Sequence, residues 1–170
     1  MKPKILILIS MFFMTAVSVQ AQSKIGYINS LELLSYMPDI RRADSTLKLM
    51  ADEMQKQYGF YVQEYQTKLD DYNTNVPTWS PEKKEATETD LLSMQERIAN
   101  YEQSSQQKIE KKKQELYDPL VTRANEAIQA VGKEQNLICV IDASTGALIY
   151  AGEEMVNILP LVKQKLNIPQ

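Results

Sequence analysis

Residues 47–76 read LKLMADEMQKQYGFYVQEYQTKLDDYNTNV, and their stripe residues are Leu47, Met50, Met54, Tyr58, Tyr61, Tyr65, Leu69, Tyr72 and Val76. The intervals are 3, 4, 4, 3, 4, 4, 3 and 4, so Leu47, Tyr58 and Leu69 stand eleven residues apart. An eleven-residue repeat corresponds to about 3.67 residues per turn, which keeps one stripe on a straight or slightly right-handed helix instead of a left-handed heptad coil. A helix with such a stripe needs a partner to cover it.

The partner follows directly. Val76-Pro77-Thr78-Trp79-Ser80-Pro81 carries two prolines in five residues, which ends one helix, and Ser80 with Pro81 supplies the N-cap and first-turn proline of the next. Met94, Ile98, Tyr101, Ile109, Leu116 and Leu120 line the second helix, with Ile98, Ile109, Leu120 and Val131 again eleven apart. Ser105 and Lys112 occupy two of its stripe positions and weaken the register. Residues 41–76 and 81–117 would each extend about 55 Å at 1.5 Å per residue. Matched length, matched period and a short turn predict an antiparallel helical hairpin, an arm over 41–131 with its tip near 76–81. Asp118-Pro119 interrupts the second helix, where a proline kinks a continuing helix and makes Pro119 a candidate hinge.

Toward its base the arm's apolar face broadens through Tyr117, Val121, Ala124, Ala127, Ile128 and Val131, as expected where a rod enters a body. Gly132 and Asn136 mark its end. Residues 22–40 and 132–170 should form that body. Lys24–Asn29 reads as a strand, Ser30 as the cap of a short helix ended by Pro38, and Asp39 as the cap of the long one. Leu137–Asp142 and Ala147–Ala151 flank Ser144-Thr145-Gly146 and read as a β-hairpin. A last helix would have Glu153 and Glu154 in its first turn and Lys163 and Lys165 in its last. The class is α+β, a small β-strand body bearing a long antiparallel helical hairpin. Three short strands and two small helices cannot bury enough core to anchor such arms. Apolarity on both sides of 137–141 points to association of several copies, through candidates Ile25, Tyr27, Ile138, Val140, Leu148 and Ile149.

Residues 1–21 read as a cleaved signal peptide: Lys2 and Lys4, the apolar run Ile5 to Met14, then Val19-Gln20-Ala21. That segment holds two of the 19 basic residues and none of the 22 acidic ones, so the remainder has 17 against 22, a net charge of −5. An acidic exported chain argues against a nucleic-acid or anionic-lipid binder relying on bulk charge. No later segment is apolar enough for stable membrane insertion.

The sequence offers little for catalysis. It has no histidine, and no Gly-rich loop followed by Lys-Ser/Thr that would cradle ATP phosphates. Asp70-Asp71 and Glu153-Glu154 are adjacent on their helices, point apart, and read as solvated. Cys139 lies in an apolar run with no basic neighbour and reads as a buried structural thiol, not a nucleophile. Lys108, Lys111, Lys112 and Lys113 read as a solvated face, with electrostatic guidance of a partner as the alternative. No cofactor or metal is implied. The Tyr/Met stripe reads first as the seam between the arm helices, and its edges as an adaptable lining for other chains. Phe60, opposite the stripe, and Trp79, at the tip, are expected to be exposed. Phe60, Tyr61, Tyr65, Tyr72 and Trp79 are therefore the candidate contact residues.

The opening Lys24-Ile25-Gly26-Tyr27-Ile28-Asn29-Ser30 with Leu33-Leu34 and Met37-Pro38, the hairpin, and Pro119-Leu120 through Ala127-Ile128 and Val131 to Leu137–Ser144 resemble the OmpH/Skp periplasmic chaperones. The resemblance implies a homotrimer whose β-body carries three arms around a cavity. It also implies an ATP-independent holdase for unfolded outer-membrane β-barrel proteins in the periplasm, and no enzymatic activity. The well-known members are strongly basic, so in this acidic chain hydrophobic and tyrosine contacts would carry more of the binding. The alternatives are an envelope spacer or scaffold, and an enzyme using Cys139.

Overall fold

The computed structural model describes residues 24–169; the segment read as a signal peptide lies outside them. Strand β1 (Lys24–Ile28) leads into helix α1 (Ser30–Tyr36), then helix α2 (Pro38–Asn75) and helix α3 (Pro81–Glu134). Strand β2 (Leu137–Asp142), strand β3 (Val156–Asn157) and helix α4 (Leu159–Lys165) complete the chain. The sheet order is β2-β1-β3, and both pairings are parallel. Parallel neighbours need a crossover. Here the crossover from β1 to β2 is the arm itself.

Local chemistry sets the element ends. Asn29, not Ser30, caps α1 by accepting the Glu32 N–H at 3.0 Å. Pro38 occupies the first turn of α2 after Met37, which offers no side-chain cap, so Asp39 lies inside the helix. The tip is a single 3-10 turn over Val76–Thr78, closed by the Trp79 N–H on the Val76 carbonyl. Ser80 then accepts the Lys83 N–H at 3.3 Å and starts α3 with Pro81 in its first turn, as the sequence predicts. Helix α3 runs on through Pro119. Gly132 lies within it, and the exit is instead Asn136 at φ 52, the left-handed conformation that asparagine tolerates.

The region after β2 departs from the predicted hairpin. Ser144-Thr145-Gly146 is a turn, with Gly146 at φ 74, but Ala147–Ala151 forms no strand. The chain passes on to β3, whose two residues pair with Gly26 and Tyr27 on the far side of β1. Glu153 and Glu154 lie before β3, so α4 is shorter than the helix read from the sequence. The reason is conformational: Asp142 accepts from the Ser144 N–H at 2.9 Å and tightens the turn, while Ile158 donates to the Tyr27 carbonyl at 3.1 Å and fixes the later pairing.

One core joins body and arm base. Ile28, Leu33, Met37, Ile40, Ala124, Ala127, Val131, Ile158, Val162 and Ile168 are buried together. Lys163 is buried beside this cluster with its ammonium 3.8 Å from the Tyr36 ring centroid, a cation–π contact between α4 and α1. At the other end of the sheet, Asp142 accepts from the Ser30 hydroxyl at 2.5 Å and the Ser30 N–H at 3.1 Å. Burial pushes the Asp142 carboxyl up, but the hydrogen bonds from Ser30 and Ser144 outweigh it and hold the pKa at about 2. A depressed folded pKa contributes stability above the unfolded value near 3.8 that is lost as pH falls through about 2. Asp142→Asn should therefore lower unfolding stability at neutral pH by about 1 kcal/mol, the shift being discounted for solvent screening of a mostly exposed carboxylate, and flatten the acid limb in that window. Urea midpoints measured from pH 7 to pH 2 check this; parallel acid limbs would contradict it.

Candidate interaction surfaces

The seam between α2 and α3 absorbs most of the tyrosines. Tyr61 stacks edge-on against Tyr101 at 5.1 Å, with the Arg97 guanidinium 4.7 Å from its ring centroid. Arg97 in turn pairs with Glu64 at 2.5 Å. The Tyr65 hydroxyl accepts from the Gln95 amide at 2.6 Å. Tyr72 donates to Glu88 across the seam, and that acceptor carboxylate raises the phenol pKa. Lys68 pairs with Asp90 at 2.5 Å. At the base, Tyr117 donates to Asp44 and Arg123 pairs with Asp39 at 2.8 Å. Pro119 stands between these last two ties.

Tyr61, Tyr65 and Tyr72 are therefore half-buried seam residues, as the packing reading predicts. Phe60 is 60% exposed, with its ring edge-on to Tyr61 at a centroid distance of 6.3 Å. Trp79 differs from expectation: it is half-buried, edge-on to Tyr72 at 5.9 Å and beneath the Lys83 ammonium at 3.9 Å. The proline-ended turn folds the indole back onto the last turn of α2. The two most exposed leucines of the arm lie outside the residues singled out from the sequence. Leu49 is 71% exposed, and it stands eleven residues before Phe60, so the two share one outer row of α2. Leu92 is 63% exposed on α3. The same eleven-residue spacing that defines the inner stripe would have found the outer pair.

The body has a second open surface. In the single chain β2 is an edge strand, and Ile138 is 66% exposed where the register with β1 slips between Lys24 and Ile25. Cys139 is exposed too, contrary to the expected buried thiol, because nothing among the described residues covers it on edge strand β2. Ile25, Tyr27 and Val140 are half-buried in the sheet. Leu148 is half-buried, while Ile149 and Tyr150 are 95% and 81% exposed in the strandless segment beside the body. A run this apolar and this exposed, following an edge strand in the chain, is the kind of surface that marks an interaction site.

The family model described as outer membrane protein (OmpH-like) matches residues 24–166, arm and body together. The chain belongs to the OmpH-like family. A crystal structure of a proposed OmpH-like outer membrane chaperone from Caulobacter crescentus CB15 is similar to this OmpH-like chain, with a TM-score of 0.72 at 14% identity. The similarity covers 86% of this chain and 85% of that one, and it is a likeness of fold. No curated protein sequence matches the chain. Among the described residues no helix is long and apolar enough to cross a membrane, and no cluster of His, Cys, Asp or Glu could hold a metal ion.

Proposed function

We propose that this OmpH-like chain is exported to the periplasm and holds unfolded outer-membrane β-barrel proteins between the arms of a homotrimer, without ATP or any cofactor. The observation that carries the reading is disproportion. Helices of 38 and 54 residues rise from a body that shares with their base a single buried core of ten side chains, three of them, Ala124, Ala127 and Val131, belonging to the arm. A body that small, with Ile138, Ile149 and Tyr150 exposed, is suited to joining copies, and three joined bodies would set three arms around a common space. Residues 22–40 and 132–170 then act as the trimerisation domain and residues 41–131 as the arm, with Pro119 as the hinge on which an arm swings.

Unfolded barrel strands alternate polar and apolar residues and carry unpaired edges, so they aggregate although each is only weakly hydrophobic. Many weak contacts from several arms hold such a chain by avidity, and each breaks easily when the client folds. Phe60 and Leu49, with the edges of the Tyr61, Tyr65, Tyr72 and Trp79 seam, supply contacts of that kind. The mature chain's acidity leaves apolar and aromatic contacts as the main source of grip. A barrel protein diluted out of urea should stay clear by light scattering when one trimer is present per client. Precipitation at the same rate with and without the protein would favour an envelope spacer.

A further inference from the structure

The outer face of α2 carries a row that the arm itself leaves uncovered. Leu49, Glu53, Lys56 and Phe60 follow one another at intervals of 4, 3 and 4, and all four are exposed. On a helix turning about 100° per residue they fall within about 60° of arc, on the side away from the Leu47–Tyr58–Leu69 stripe. The ion pairs that involve α2 are Arg42–Asp39, Lys48–Asp52, Lys68–Asp90, Arg97–Glu64 and Arg123–Asp39. Among the described residues Glu53 and Lys56 therefore form no ion pair, although three residues apart they are neighbours on the helix surface. Gly59, on the flank of the row beside Phe60, has nothing within 4 Å of where a Cβ would stand. Nothing in the chain uses that bareness, which lets another backbone come close.

The row reads apolar, acidic, basic, apolar, and that order complements itself when reversed. Laid antiparallel about a two-fold axis between positions 54 and 55, a second α2 sets Leu49 against Phe60 and Glu53 against Lys56. Each contact then occurs twice, the pattern of an isologous interface. Farther along the same face Thr46 meets Gln63 and Arg42 meets Thr67, so no like charges are opposed. A parallel arrangement in register would instead set Glu53 on Glu53 and Lys56 on Lys56. We propose that this row docks the same row of a second copy, antiparallel and in that register, with the charges fixing the register. In the homotrimer proposed above the arms rise together from one body, so the contact joins two assemblies. Three two-fold axes normal to the trimer axis can then act at once. One contact of four side chains from each copy is small and weak, and repetition over three arms supplies avidity. A paired arm has neither Leu49 nor Phe60 to offer a client. Under the holdase reading, on which this last step alone rests, the joined form is the resting state and client capture undoes it.

Sedimentation velocity of the mature protein tests the register by charge reversal. The parent mass should double as concentration rises to about 1 mM in chains. Doubling should need several-fold more protein at about 0.5 M salt, where exposed pairs are screened. Glu53→Lys alone and Lys56→Glu alone each bring like charges together twice, and each should weaken association by at least about 10-fold at low salt. Both reversals in one chain set opposite charges together again and should restore doubling. So should mixing the two single variants, because each supplies the charges that the other lacks. All the substitutions are at exposed positions, and the helical circular dichroism should match the parent's. A parent that never doubles, a single reversal that doubles like the parent, or a double reversal that stays undoubled overturns the proposal. An unfolded barrel protein should return the doubled form to its starting assembly with client bound, and a doubled form that takes up client intact overturns the resting state. Failure of the undoubled single variants and of the parent to keep a barrel protein soluble refutes the holdase reading instead, and with it only that last step.

Discussion

Replacing Ile138 and Ile149 together by aspartate is expected to convert the proposed trimer into single chains and, with it, to abolish the proposed protection of an unfolded barrel protein. Both side chains are exposed in the isolated chain, at 66% and 95%, and neither belongs to the buried core. Ile138 falls where the β1–β2 register slips: Leu137 pairs with Lys24 and Cys139 with Ile25, so it has no partner in the ladder. An aspartate there leaves the fold of one chain intact. In an assembly each buried isoleucine would contribute about 1.5–3 kcal/mol, and each replacement would set an unpaired carboxylate in its place at further cost. Mass measured by light scattering after size exclusion checks the outcome. A double variant still running at the parent mass would show that this edge is not where copies meet, and a parent already running as one chain would remove the trimer altogether.

The arm was legible because its information is local and repeated. Leu47, Tyr58 and Leu69 on one helix and Ile98, Ile109 and Leu120 on the other state a period, and Pro77, Ser80 and Pro81 state where it breaks. Each of these acts through its own backbone or its immediate turn, so no tertiary context overrides it. The body was legible only in part. Ala147–Ala151 is as apolar as β2, and a Gly-containing turn between them satisfies every local condition for a hairpin. The pairing is decided elsewhere, by β1, which lies more than a hundred residues earlier and accepts β2 on one side and the two residues of β3 on the other. Parallel pairing leaves no turn signature in the sequence. The candidate surfaces follow the same division. Tyr61, Tyr65 and Tyr72 lie in the seam that their spacing predicts. Trp79 departs from its expected exposure because its burial depends on how one 3-10 turn folds back, and Cys139 from its expected burial because apolarity alone does not say whether an edge strand is covered.

Gly26 holds the second large effect. It lies at the centre of β1, opposite Val140 on one side and Val156 on the other, where a glycine is unfavourable for a strand unless something approaches closely. Something does. A Cβ at position 26 would lie 2.5 Å from Leu137 Cδ1, 3.3 Å from Val140 Cγ2 and 3.4 Å from Ile158 Cγ2. The leucine methyl is the end of a flexible chain and can swing aside, so Gly26→Ala should cost only about 1 kcal/mol, offset in part by the lost chain entropy of glycine. Val140 and Ile158 are β-branched and stiff at χ1, and cannot retreat without moving β2 or the start of α4. Gly26→Val adds two further methyls against both and should cost about 3 kcal/mol, the upper end for overpacking. Because Ile158 belongs to the core that also holds the base of α3, the strain should be transmitted to the arm's anchorage. The prediction is a urea midpoint that falls slightly for alanine and steeply for valine, with unchanged slope, while the hairpin's helical signal persists below the transition. A valine variant as stable as the parent would mean that β2 and α4 yield freely around β1, and that the body is not the rigid base from which a long arm could be held.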